Sequence, residues 1–211
     1  MLKRHVLFGL VAAALIVSAS LSSPARAGYA EAEAFVEDLG NKVIDLLKRE
    51  DLTSFSEREA AFRDILIDRF DIRTISRAVL GSSWRELSSD DATVYQTVFT
   101  DFVVRIYTVR FNGYPGETFQ VTEVTDWYDG DLAVRTKFEF SGSMASINLD
   151  FIVREVDESY KIIDVYVEGT SMLITQRSEF SAVIDRHGLE GLLDELRSRV
   201  GDRPETDTAG H

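Results

Sequence analysis

The chain has 211 residues, with 36 acids against 23 lysines and arginines, a formal net charge of −13 and no cysteine. So acidic a surface argues against nucleic acid as a partner and against lasting adsorption to anionic membranes. The missing thiols exclude cysteine nucleophiles, disulfides and cysteine-held metals.

The sequence opens on MLKRH, a basic patch, followed by the apolar run VLFGLVAAALIVSASL and then Ala25-Arg26-Ala27, the small-x-small pattern of a signal-peptidase site. Residues 1–27 therefore read as a secretory signal peptide cleaved after Ala27, because a run of about 16 residues is short for a membrane span. Cleavage would remove Lys3, Arg4 and Arg26, taking the formal charge from −13 to −16. No later segment is apolar for long enough to cross a bilayer, so the mature chain is expected to be soluble in an exported compartment. It reads as one domain over 28–200 followed by a disordered tail at 201–211.

Helical spacing governs the first half. Phe35, Leu39, Val43 and Leu46 mark the stripe of a first helix. Ser56 with Glu59 reads as a capping box ahead of Phe62, Leu66 and Phe70. Asp71 caps a short helix, IRTISRAVL, which Gly81 ends. Beyond Trp84, Ser88 with Asp91 starts the longest helix, carrying Val94, Val98, Phe102, Ile106 and Val109 until NGYPG at 112–116 breaks it.

The period then falls from 3.6 to 2. TFQVTEV, LAVRTKFEF, INLDFIV and YKIIDVYVE read as four strands, the first two joined at Asp129-Gly130 and the last two near Asp157-Glu158. Leu132, Val134, Phe138 and Phe140 share one face, while Arg135, Lys137 and Glu139 share the other, so one face is covered and one is wet. After Gly169 two helices follow, from Ser171 to about His187 and from Leu189 to about Val200, ended by Gly188 and Gly201. Leu173, Arg177, Phe180 and Ile184 fall within roughly 60° on one helix face, placing an arginine in an apolar stripe. A buried guanidinium there needs a partner, and Glu168 at the strand end is the candidate. The whole reads as a single α+β domain, with helices packed on one side of a twisted four-stranded antiparallel sheet.

A search for chemistry returns little. Of three histidines, His5 leaves with the signal peptide, His211 lies in the tail and His187 sits beside Gly188, where a cation favours the helix dipole. Zinc has too few ligands, and nucleotide-binding glycine patterns are absent. Asp90 and Asp91 read as first-turn helix acids, and Asp126, Asp129 and Asp131 as turn residues without calcium-loop spacing. No catalytic residue, metal or cofactor is assigned. The composition favours a binder or carrier, with two other classes open: an exported enzyme using Asp150 or Asp164 on a small apolar substrate, and an adaptor with a filled core.

FDIRTISRAVLGSSWRELSSDDATVYQTVFTDFVVRIY resembles the MlaC or toluene-tolerance family at Phe70, Asp71, Val79, Leu80, Gly81, Trp84, Arg85, Phe99, Phe102 and Tyr107. A second signature resembles the same family at Asp164, Val165, Gly169, Ser171, Arg177 and Phe180, and GLEGLLDEL resembles its closing helix. The chain departs at Asp90-Asp91, where the family often has a glutamine-arginine pair. The resemblance covers roughly residues 30 to 200. It implies a periplasmic phospholipid-binding carrier that shuttles lipid between an outer-membrane lipoprotein complex and an inner-membrane ABC transporter, without covalent chemistry or cofactor. Hopanoid-associated HpnM-like proteins are similar, so a hopanoid or another apolar lipid is the alternative cargo. The expected protein is a monomer that meets membranes only transiently.

Two acyl chains hold about 30 methylenes, whose exposure to water at about 0.8 kcal/mol each would cost over 20 kcal/mol. A carrier must therefore enclose them, and the resemblance places an apolar lipid cavity between sheet and helices. Its candidate walls are Val134, Phe138, Phe140, Leu149, Phe151, Val165 and Val167 of the sheet, facing Ile75, Val79, Phe102 and Ile106 of the helices. Taken singly, each such residue is more often plain core than pocket wall. Arg73 and Arg77, four residues apart, and Arg177 are candidate headgroup or structural anchors, the alternative for the first two being solvation or pairing with Asp71.

Overall fold

A computed structural model describes residues 24–111, 118–139 and 146–201. The expected signal peptide up to residue 23, the break at 112–116, Phe140 and the tail beyond 201 lie outside the described residues. Five helices and five strands follow in order: α1 (Pro24–Leu47), α2 (Phe55–Arg69), α3 (Ile72–Leu80), a 3₁₀ turn (Gly81–Glu86), α4 (Ser89–Phe111), β1 (Thr118–Asp126), a 3₁₀ turn (Tyr128–Gly130), β2 (Leu132–Glu139), β3 (Ile147–Val156), β4 (Ser159–Val167), β5 (Thr170–Ser171) and α5 (Met172–Gly201). The sheet is antiparallel throughout in the order β1-β2-β3-β4-β5. It has five strands rather than four, because Glu168 and Gly169 take positive φ of 48° and 78° and turn β4 back into a two-residue partner.

Local signals explain most element ends. Asp71 Oδ1 accepts from Thr74 N at 2.9 Å to cap α3, and Gly81 at φ 62° ends it. Ser88 Oγ accepts from Asp91 N at 3.1 Å and starts α4. The box on α2 sits two residues earlier than the sequence suggests. Glu57 N donates to Ser54 Oγ and Ser54 N to Glu57 Oε2. The motif occurs twice, at 54/57 and 56/59, and the extended backbone of Ser54 decides between them. Helix α5 breaks at Gly188 (φ 69°, ψ −177°), giving the two expected segments.

The inward face of the sheet is a register of apolar partners: Leu132 opposite Val153 opposite Ile162, and Val134 opposite Phe151 opposite Val165. Ala32, Val36 and Leu39 of α1 close over it to form one hydrophobic cluster. The other face is less wet than alternation implies, since the paired Ala133 and Ile152 are also buried. A second cluster gathers α3, α4 and α5 around Val79, Tyr95, Phe99, Phe102 and Phe180. On α4 the buried line is Tyr95, Phe99, Phe102 and Val104, while Val94 and Val109, expected on the stripe, face solvent. No helix among the described residues is long and apolar enough to cross a membrane.

Candidate functional site

The inward face of the sheet is only partly filled. Toward the Ile147 end of β3, a cavity of about 500 Å³ opens between the sheet and helices α1, α2 and α4. Its sheet wall is Phe119, Phe138, Ile147, Leu149, Phe151, Val165 and Val167. Alternation in β2 to β4 brings these apolar groups to one side. Its helix wall is Leu39, Gly40 and Val43 of α1, Phe62, Ile65 and Leu66 of α2, and Val103 and Val104 of α4, with Phe70 at the α2–α3 junction.

Among the described lining residues only Tyr107 and Arg110 carry polar side-chain groups, one turn apart near the end of α4. Tyr107 is 36% exposed, yet the protein packed around its phenol pushes it above its ordinary range; Arg110 opposes this and Asp164 reinforces it. The described lining residues offer no carboxylate, imidazole or aliphatic hydroxyl for acid–base or nucleophilic work.

Five of the expected wall residues, Phe138, Leu149, Phe151, Val165 and Val167, stand together on this cavity. Val134 lies one register step away, fully buried in the first cluster. Ile75, Val79, Phe102 and Ile106 do not join them but pack into the second cluster, on the far side of α4. The helix residues that do line the cavity were hidden because Val103, Tyr107 and Arg110, at i, i+4 and i+7, include two polar side chains. A search for apolar stripes passes over them in favour of Phe102 and Ile106.

The basic candidates lie elsewhere. Arg77 and Arg177 meet, with Arg85, around a second concavity that shares no lining residue with the first, while Arg73 is exposed on α3 outside both. Arg177 is exposed rather than buried in its stripe, although Leu173, Phe180 and Ile184 of that stripe pack into the second cluster. Its expected partner Glu168 is engaged elsewhere, accepting from Asn148 N at 2.6 Å and Asn148 Nδ2 at 3.2 Å.

The two acids considered for catalysis have other surroundings. Asp164 accepts from Ser171 Oγ at 2.6 Å, Val165 N at 2.7 Å and Leu173 N at 3.1 Å. Ser171 Oγ in turn accepts from Ile174 N at 3.0 Å, which starts α5. Asp150 sits in mid-strand opposite Arg135 and Tyr166. His187 is exposed beside the α5 break. Among the described residues no group of three or more His, Asp or Glu converges as a metal site.

A profile of the family described as MlaC protein matches residues 37–198. The fold is similar to the solved structure of a phospholipid-binding protein from Ralstonia solanacearum in complex with a phospholipid. That match has a TM-score of 0.69 and 20% identity, and covers 81% of this chain and 97% of the other.

Proposed function

The chain belongs to the MlaC family, and from that premise we propose that it is a periplasmic phospholipid carrier: exported, cleaved after Ala27, and shuttling lipid between an outer-membrane lipoprotein complex and an inner-membrane ABC transporter as a monomer. The observation that carries the proposal is the cavity of about 500 Å³ between the sheet and α1, α2 and α4, whose described lining residues are apolar except for Tyr107 and Arg110. Its volume falls in the roughly 300–1,000 Å³ range of ligand pockets. Described lining residues that offer no carboxylate or imidazole support carriage over catalysis. The phospholipid held by the Ralstonia solanacearum protein, whose fold is similar, supports the same cargo here.

In this reading Phe138, Leu149, Phe151, Val165 and Val167 meet acyl chain, and the headgroup lies toward Tyr107 and Arg110. Apolar contact alone gives little preference over a bilayer interior, so loading and unloading follow from the partners and not from strong retention. The test is organic extraction of protein purified from the native compartment, followed by mass spectrometry. Phospholipid recovered in proportion to protein is the expected result; lipid-free protein would count against a carrier, and a hopanoid would redirect the cargo.

A further inference from the structure

Arg77 and Arg85 flank Gly81 along the chain, and Arg177 reaches the same corner from α5, so three arginines line one concavity of about 510 Å³. None of the three makes an ion pair or hydrogen bond with a described residue. Several other arginines of this acidic chain do hold carboxylates. Arg63 holds Asp101 at 2.6 Å, and Arg154 holds Asp131 through two bonds of 2.7 Å.

The arrangement is built into the backbone. Gly81 stands at φ 62°, and a β-carbon there would lie 2.9 Å from Arg177 Nε and 3.1 Å from its Cζ and Nη2. The Arg177 guanidinium therefore lies against bare backbone at the end of α3, a position only glycine allows. The helix dipole accounts for part of the attraction. The C-terminus of α3 carries about −0.5 of a charge, however, which offsets only a small part of the three positive charges. Thr74 and Ser82 bring two hydroxyl donors into the same concavity. Three arginine side chains and two hydroxyl-bearing residues on one concavity suit a compact, multiply charged oxyanion.

We infer that Arg77, Arg85 and Arg177 form a binding site for a phosphate group, distinct from the apolar cavity and independent of what that cavity holds. The phosphate could be free in solution or belong to the headgroups of an anionic membrane surface, and the recognition chemistry is the same. An exposed cationic pocket on an otherwise acidic protein would give it one orientation toward such a group, with the remaining surface repelled.

The test compares the full chain with the triple variant Arg77→Gln/Arg85→Gln/Arg177→Gln, with the single variants Arg85→Gln and Arg177→Gln, and with Arg73→Gln, an exposed arginine on α3 outside the concavity. Inorganic phosphate is titrated calorimetrically against chloride at matched ionic strength. Vesicles of phosphatidylcholine with and without phosphatidylglycerol are co-sedimented with each protein. Saturable phosphate binding, weakened severalfold in each single variant, lost in the triple variant and kept in Arg73→Gln, supports the site. With that pattern, sedimentation with phosphatidylglycerol vesicles identifies headgroups as the source, and its absence identifies free phosphate. The inference is overturned if neither probe binds the unmodified chain, or if Arg73→Gln weakens binding as much as the concavity variants do. The single variants keep the test decisive should the triple variant lose its circular dichroism spectrum.

Discussion

The ring of Phe119 on β1 lies against Gly40 of α1 so closely that a β-carbon on the glycine would stand 2.1 Å from Phe119 Cδ1. Both residues line the apolar cavity. Gly40→Ala gains about 1 kcal/mol of helix propensity, but Phe119 must swing aside. The obstructing group is a side chain and the free space beside it is the cavity, so the crowding falls on the loaded state. Overpacking of about 1–3 kcal/mol corresponds to a loss of about fivefold or more in retained lipid. The expected outcome is a melting temperature close to that of the unmodified chain and clearly less lipid phosphorus per protein. Full lipid content would show that Phe119 yields in some other direction.

Phe138 and Phe102 separate the cavity wall from the second hydrophobic cluster. Phe138→Trp adds volume to the cavity wall, so co-purifying lipid should fall more than the denaturation midpoint does. Phe102 is 1% exposed with its ring 5.9 Å from Phe180. Phe102→Ala should cost about 3–5 kcal/mol of stability and leave the lipid carried by each folded molecule unchanged. Equal losses in the two assays for Phe138→Trp would make that residue plain core.

Asp164 is the junction of β4 and α5, with one hydroxyl and two backbone amides donating to it. In Asp164→Ala the part-buried donors lose their acceptor, at a cost of about 1–3 kcal/mol. Urea denaturation should show a lower midpoint with an unchanged slope. An altered turnover on any small apolar substrate at unchanged stability would instead revive the enzymatic reading.

Asp150 carries a pH signature of definite sign. Burial holds its carboxyl above the ordinary range; Arg135 partly offsets this and Glu168 adds to it. A carboxylate whose folded pKa is raised costs stability once pH exceeds that value. The cost disappears below its unfolded value of about 3.9. Asp150→Asn should therefore stabilise the protein at pH 7, and the gain should shrink to nothing as the pH falls toward 3. A gain independent of pH would point to packing rather than charge.

Elements with chemical markers at both ends could be read from residues alone. Asp71 and Gly81 bracket α3 because one end needs an acceptor and the other a positive φ, and both requirements are local. What stayed hidden depends on neighbours. Alternation puts Ile163 on the inward face with Val165, but a bulge pairs Ile152 with Asp164 and Val153 with Ile162, so Ile162 turns inward instead. The spacing around Arg177 gives its helix face correctly but not its exposure, which depends on how α5 meets the corner at Gly81. The two faces of α4 defeat a single-stripe reading. Phe102 belongs to one cluster while Val103 and Tyr107 serve the cavity, and helical period alone cannot rank two occupied faces.

That division of α4 has a mechanical side. Its back is fastened by aromatic rings, Tyr95 to Phe99 at 5.8 Å and Phe99 to Phe180 at 6.2 Å, while its front borders empty volume. Opposite that front, α1 crosses β1 with Gly40 and Phe119 between them. A guest that prises α1 and α2 from the sheet works against the contacts around the void and leaves the ring stack undisturbed. The molecule then behaves as a stiff keel with a pliant pouch. Amide hydrogens along the Tyr95 to Phe102 turns should exchange at the same slow rate whether the pouch is full or empty, while those of α1 near Gly40 should slow on filling.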